Sequence, residues 1–163
     1  METGAPNQVC FSVTDNFRFL YHENNVMTPA PISKLLNSVI FELGIRVALT
    51  CPFWLSGLTK LFNWSAAIGE MNHFGLSPAA PLAAGIILLQ LGGSIAIILG
   101  RQVWLAAGAL GIFTAVATLT AHAYWTFPEA ERAGQSNIFF EHVAIIAGLA
   151  LVAILSEKTS RRI

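Results

Sequence analysis

Seven polar side chains stand inside or at the edge of oily stretches: Glu42, Arg46, Lys60, Gln90, His122, Glu141 and His142. Such groups are expensive in an apolar setting unless they face one another, a cavity or a ligand. Their types define what they could do. Lysine brings a positive charge and three N–H donors. A neutral histidine brings one donor and one acceptor, a carboxylate only acceptors, and glutamine both without charge. Lys60, Gln90, His122, Glu141 and His142 suit a small polar head group, such as that of a quinone, or a proton relay. The same residues would also serve as an interhelical hydrogen-bond network that does no more than fix the packing. His122 and His142 fall in different segments, and no HxxxH, HxxE or CxxC spacing adds further ligands, so no metal site is expected. No nucleophile elbow, phosphate loop or dinucleotide fingerprint is present, and nothing in the residues assigns a reaction.

Spacing sharpens the picture. Glu42 and Arg46 are an i, i+4 pair with the acid first, the favourable order on a helix. Arg46 and Lys60 are about four turns apart and within about 40° of each other around a helix. Phe53 and Gly57 share that face, which should point into a bundle rather than at lipid. In a later segment Gly111, Thr114, Thr118 and His122 share one side. His122 closes that segment, and Glu141 and His142 open the next. Lys60, His122 and either Glu141 or His142 are therefore predicted to meet in a polar pocket at one end of the bundle, with Gln90 as a neutral polar group in mid-span.

The elements that must position these groups follow from composition. Charged residues make up 11% of the 163 residues and hydrophobic residues 55%. An ordinary soluble domain carries about 25% charge. Net charge is zero, and no basic tract suits nucleic acid. Residues 81–100 contain no charge, and at 1.5 Å per residue they reach roughly 30 Å, the thickness of the hydrocarbon core. Residues 103–125 end in Tyr124 and Trp125, which suits an interfacial aromatic belt. A tight Gly100-Arg101-Gln102 turn makes these two helices antiparallel neighbours. Residues 138–155 form another span. Residues 43–63 span if Arg46 and Lys60 snorkel toward opposite interfaces; otherwise this segment lies on the surface and three spans remain. Pro52 should kink it.

The expected fold is all-α, an integral membrane bundle of four transmembrane helices. Arg18, Lys34, Arg101, Lys158, Arg161 and Arg162 fall on one side of it, and the positive-inside rule then places both termini in the cytoplasm. On the other side lie a loop over 126–137, which holds Glu129 and Glu131, and residues 65–80, which mix Ile68, Met71, Phe74 and Leu76 with Glu70, Asn72 and His73 and so predict a short amphipathic helix ended by Gly75 and Pro78. Small residues at Gly92, Ala96 and Gly100, at Ala107 and Gly111, and at Ala144 and Gly148 are candidate sites of close helix approach.

The domain organisation read from this pattern is a polar tail over 1–34, a membrane domain over 35–156 and a basic tail over 157–163. The tail has no apolar h-region and does not read as a signal peptide. Met27-Thr28-Pro29-Ala30-Pro31 offers an alternative start, which would make 1–26 an extension or a disordered tail. Cys51 lies in an apolar segment as a small buried hydrophobe, and a disulfide to Cys10 is not expected.

Arg46 opening an apolar helix, followed by Ser56-Gly57-Leu58-Thr59-Lys60-Leu61-Phe62, resembles the opening of the DoxX family. Phe74-Gly75-Leu76-Ser77-Pro78 is similar to that family's "GlP" loop. Gly85 to Gly93, followed by Leu99-Gly100-Arg101, resembles its second helix. His122 matches the histidine that commonly ends the third helix, and Asn137-Ile138-Phe139-Phe140-Glu141-His142 with Gly148 is similar to the start of the fourth. The resemblance covers about residues 40–155. It departs at Gln90, where many members carry an acidic residue, and at Glu141-His142, where many have Lys-Asn. It implies a four-helix, multi-pass protein of the bacterial inner (plasma) membrane. It further implies an accessory subunit of a quinone-linked redox system without independent catalytic activity, in contact with the lipid bilayer, a quinone or a redox enzyme subunit. The alternatives are a small-molecule carrier or permeability protein and a structural assembly factor.

Overall fold

The computed structural model describes residues 28–160. The tail, the alternative start and any pairing of Cys10 lie outside the described residues. The chain divides into two units after Ser38. The described part of the first is one short helix, α1 (Ala30–Leu36), which carries Pro29 at its N-cap and closes on Asn37.

The second unit holds α2 (Val39–Phe62), α3 (Trp64–His73), α4 (Ala79–Ile98), α5 (Val103–Ala121), a 3-10 turn (Tyr124–Thr126) and α6 (Glu129–Ser160). All regular structure among the described residues is helical. Four stretches are long and apolar enough to cross a membrane: α2, α4, α5 with the turn after it, and α6. Leu88 is 73% exposed and Ile112 70%, and many other large aliphatic side chains point outward. Water would not tolerate such a surface, whereas lipid suits it, and helices meet the need for internal backbone pairing that a lipid environment imposes. The protein is a multi-pass membrane protein built as a four-helix bundle.

α2 packs along α4, α5 packs along α6, and α4 against α5 joins the two pairs. α2 and α6 meet only narrowly. Phe53, Ile97, Val103, Leu110 and Leu149 form the buried centre. Helix backbones approach most closely at three glycines. A Cβ on Gly57 would lie 2.9 Å from Leu91, on Gly93 2.9 Å from Leu110, and on Gly148 2.9 Å from Leu49. Of the small-residue positions expected to mediate packing, Ala96, Gly100, Ala107 and Gly148 lie against neighbouring helices. Gly92 and Gly111 face open space, and Ala144 is exposed. On α4 the close glycine contact is at Gly93, one position after Gly92.

Several boundaries differ from expectation. α2 begins at Val39 rather than 43 and continues through Pro52, so the first segment is a full member of the bundle. α6 begins at Glu129 rather than 138, so most of the stretch expected as a loop is helix. Pro128 opens it, and its carbonyl accepts from the Glu131 and Arg132 N–H groups. Glu129 and Glu131 then sit in the first turn, where carboxylates favour the helix dipole. Polarity alone read as a loop here, but helical propensity and capping make the segment helical in water. At 32 residues, α6 reaches roughly 48 Å, well beyond a hydrocarbon core of roughly 30 Å.

The amphipathic helix expected within 65–80 is α3. The Asn63 side chain caps it by accepting from the Ala66 N–H, and it stops before Gly75, which has φ +67°. Its apolar face does not lie free at the interface. Ala67 and Met71 are buried against Ala83 of α4, which folds α3 back over the end of the bundle.

Candidate functional site

Lys60 sits in the last turn of α2. Snorkelling to the interface is the expectation for such a lysine, and here the side chain, only 15% exposed, has partners within the protein. Its Nζ lies 2.9 Å from Glu70 Oε2 on α3 and donates to Ser56 Oγ one turn back, at 3.0 Å. The fold-back of α3 brings the carboxylate within reach of the lysine.

Ser56 continues the chain of contacts inward. Its Oγ accepts from Gln90 Nε2 at 3.2 Å, linking α2 to α4. Gln90 is 4% exposed, and its Oε1 has no hydrogen-bond partner. A buried amide with only one end satisfied is uncommon, because an unpaired buried acceptor costs about 1–3 kcal/mol.

The opposite wall comes from α5 and α6. Thr114 and Thr118 are buried and donate to the carbonyls of Leu110 and Thr114, at 2.7 and 2.6 Å. Thr118 Oγ1 lies 2.8 Å from His142 Nδ1 on α6. His122, at the end of α5, places Nδ1 2.7 Å from Gln135 Oε1, also on α6. The two imidazoles meet edge to face with ring centroids 5.3 Å apart.

Between these walls is a cavity of ≈ 440 Å³. Lys60, Gln90, His122 and His142 all line it, together with Ser56 and Glu70. Phe53, Phe74 and Phe113 complete its apolar surface. Its rim between α2 and α6 includes the exposed Pro52 and the half-exposed Ser56, His142 and Ile145. A smaller polar cleft of ≈ 200 Å³ shares Ser56, Lys60 and Glu70 with it. The arrangement has the character of a small-molecule site: a concave apolar surface with a few convergent polar groups.

Three of the seven singled-out residues lie elsewhere. Glu141 is exposed and absent from the cavity wall, since one step along a helix turns a side chain by about 100°. The choice between Glu141 and His142 was not readable from periodicity, because the two flank the direction of the packed Ile145, Leu149 and Val152 at nearly equal angles. Glu42 and Arg46 pair with each other at the far end of α2. Arg46 Nη1 also donates to the Ile97 carbonyl at the end of α4, at 3.0 Å. On the α5 face, Thr114 and Thr118 point toward the cavity side, whereas Gly111 lines a shallow apolar groove between α5 and α6. Ser56 and Glu70 were not anticipated as site residues. Ser56 stands one turn before Lys60, a readable relation, but Glu70 depends on the fold-back of α3. Among the described residues, no group of three or more histidine, cysteine or acidic side chains is placed to hold a metal ion.

The model of the family described as DoxX matches residues 41–123, which is half of the 163-residue chain. The chain belongs to the DoxX family. No curated protein and no solved structure matches it. The DoxX match spans α2 to α5 and so takes in Lys60, Gln90 and His122. His142 and Ile145 come from α6, beyond the matched segment, and close the cavity from that side.

Proposed function

We propose that this DoxX-family protein is an accessory membrane subunit of a quinone-linked redox system, and that its cavity holds a quinone-class head group. The observation that carries this reading is the half-satisfied Gln90 amide in the wall of a cavity that Lys60, His122 and His142 also line. A ring with oxygen substituents at both ends would meet these groups while its faces lie against Phe53 and Phe113. A ligand's apolar tail would leave between α2 and α6, at the rim formed by Pro52 and Ile145. The distribution of basic residues supports a bacterial inner-membrane orientation with both termini cytoplasmic and the cavity toward the outer face.

The test is purification of the full chain in mild detergent, with extraction and identification of bound quinone and capture of partner subunits. Titration with a short-chain benzoquinone follows, on the wild type and on Lys60→Ala and His122→Ala. Both variants are expected to insert and fold; Lys60→Ala should lose at least about tenfold in affinity, as for a lost charged hydrogen bond, and His122→Ala about threefold through lost contact with the ligand. Wild-type binding by both variants would remove the reading.

A further inference from the structure

We infer that Lys60 and Glu70 form a side-chain gate between the cavity and the water beside α3, which admits water and small charged solutes by a polar passage separate from the apolar rim.

Two volumes meet at one wall. The cavity of ≈ 440 Å³ and the cleft of ≈ 200 Å³ have Ser56, Lys60 and Glu70 in common. The cleft is otherwise lined by Thr59, Asn63, Ala66 and Ala67. Thr59 and Asn63 are exposed, and the Glu70 side chain is 42% exposed, so the cleft stands in contact with water. On the inner side the same wall leads to Gln90, which is 4% exposed and has an unpartnered Oε1.

Polar groups run across the wall without a break. Glu70 Oε2 lies 2.9 Å from Lys60 Nζ, Lys60 Nζ 3.0 Å from Ser56 Oγ, and Gln90 Nε2 3.2 Å from the same oxygen. The rim between α2 and α6 opens toward lipid at Pro52 and Ile145, a path closed to charged solutes by the cost of charge in hydrocarbon. What closes the polar side is the contact between a lysine and a carboxylate from two different helices. An ion pair with one partner in water is held weakly, and parting it needs only rotamer changes in two long side chains. No helix has to move. A head group that takes up or releases protons would thereby exchange them with water without a passage through lipid.

The test reads access to the cavity by thiol labelling of the full-length protein in nanodiscs. Cys10 and Cys51 are replaced by alanine. Ala117→Cys then places a reporter thiol in the wall of the larger cavity, away from the cleft. A cationic and an anionic methanethiosulfonate, both excluded from hydrocarbon by their charge, are used in parallel. A change in local charge moves their two rates in opposite directions, whereas opening raises both. Glu70→Gln and Lys60→Met keep most of the side-chain volume and remove the pair. Labelling follows the population of the open state. Both rates are expected to rise about threefold in Glu70→Gln and about tenfold in Lys60→Met, which loses the Ser56 contact as well. Glu42→Gln weakens the pair at the far end of α2 and should leave both rates unchanged. N-ethylmaleimide, uncharged and able to cross lipid, should label every variant alike if the bundle stays folded. Unchanged rates in Glu70→Gln and Lys60→Met would overturn the gate and assign any labelling to the other polar corner, at His122 and Gln135. An equal rise in Glu42→Gln would overturn it too, as a general loosening of the bundle. No quinone is present, so the gate can fail while the proposed ligand class stands.

Discussion

The two ends of α2 each carry a cation with a side chain 15% exposed, yet they serve different ends. Arg46 is spent entirely on protein. It pairs with Glu42 one turn earlier, donates to the last turn of α4, and lies against Gly100, where a Cβ would come within 2.8 Å of Nη1. Lys60 pairs with a residue of another element and lines two cavities. Equal burial therefore does not imply an equal role. A membrane-embedded cation held by a backbone carbonyl of one helix and a carboxylate of another turn ties helices together. One that borders open volume, beside an unanswered amide, is available to a ligand.

The comparison can be broken most directly at Arg46. Arg46→Met removes the charged donor to the Ile97 carbonyl, which then keeps only the Gly100 N–H, and it should cost about 2 kcal/mol of stability. Thermal unfolding in detergent should show the drop, with ligand affinity of the surviving folded fraction unchanged. An unaltered melting temperature would mean that the arginine does not bind α2 to α4. Lys60→Met should give the reverse signature. Glu70, 42% exposed, stays hydrated, so the loss in stability is expected to be under about 1 kcal/mol. Benzoquinone binding should fall about tenfold, and a stability loss as large as that of Arg46→Met would erase the distinction. Glu70→Gln is the subtlest change. It keeps the lysine but frees it to reach the interface, and we expect a two- to threefold loss in affinity, about half a kcal/mol. Binding indistinguishable from wild type would show that Lys60 holds its place without Glu70.

Much of the bundle was legible because lipid imposes a simple rule. Runs of about twenty uncharged residues must be helices, and a charge within such a run must face inward. The face of α2 carrying Arg46, Phe53, Gly57 and Lys60 follows from periodicity alone. What was not legible depends on contacts between elements distant in sequence. Glu70 lies in a segment that reads as a surface helix, and only the burial of Ala67 and Met71 on Ala83 brings its carboxylate to Lys60. The Gln90 to Ser56 contact depends on the rotation of α4 against α2, set by the close approach of Leu91 and Gln90 to Gly57. The polar start of α6 was misread because charge marks a loop only where helix-forming residues and a capping proline are missing.

The length of α6 carries one more consequence. Its opening turns stand as a mast above the bilayer, in one continuous rod with Gln135, which holds His122, and with His142 itself. A rod transmits tilt and rotation along its whole length. A tilt of the rod near Glu129 and Arg132 would therefore reach His142 directly and His122 through Gln135.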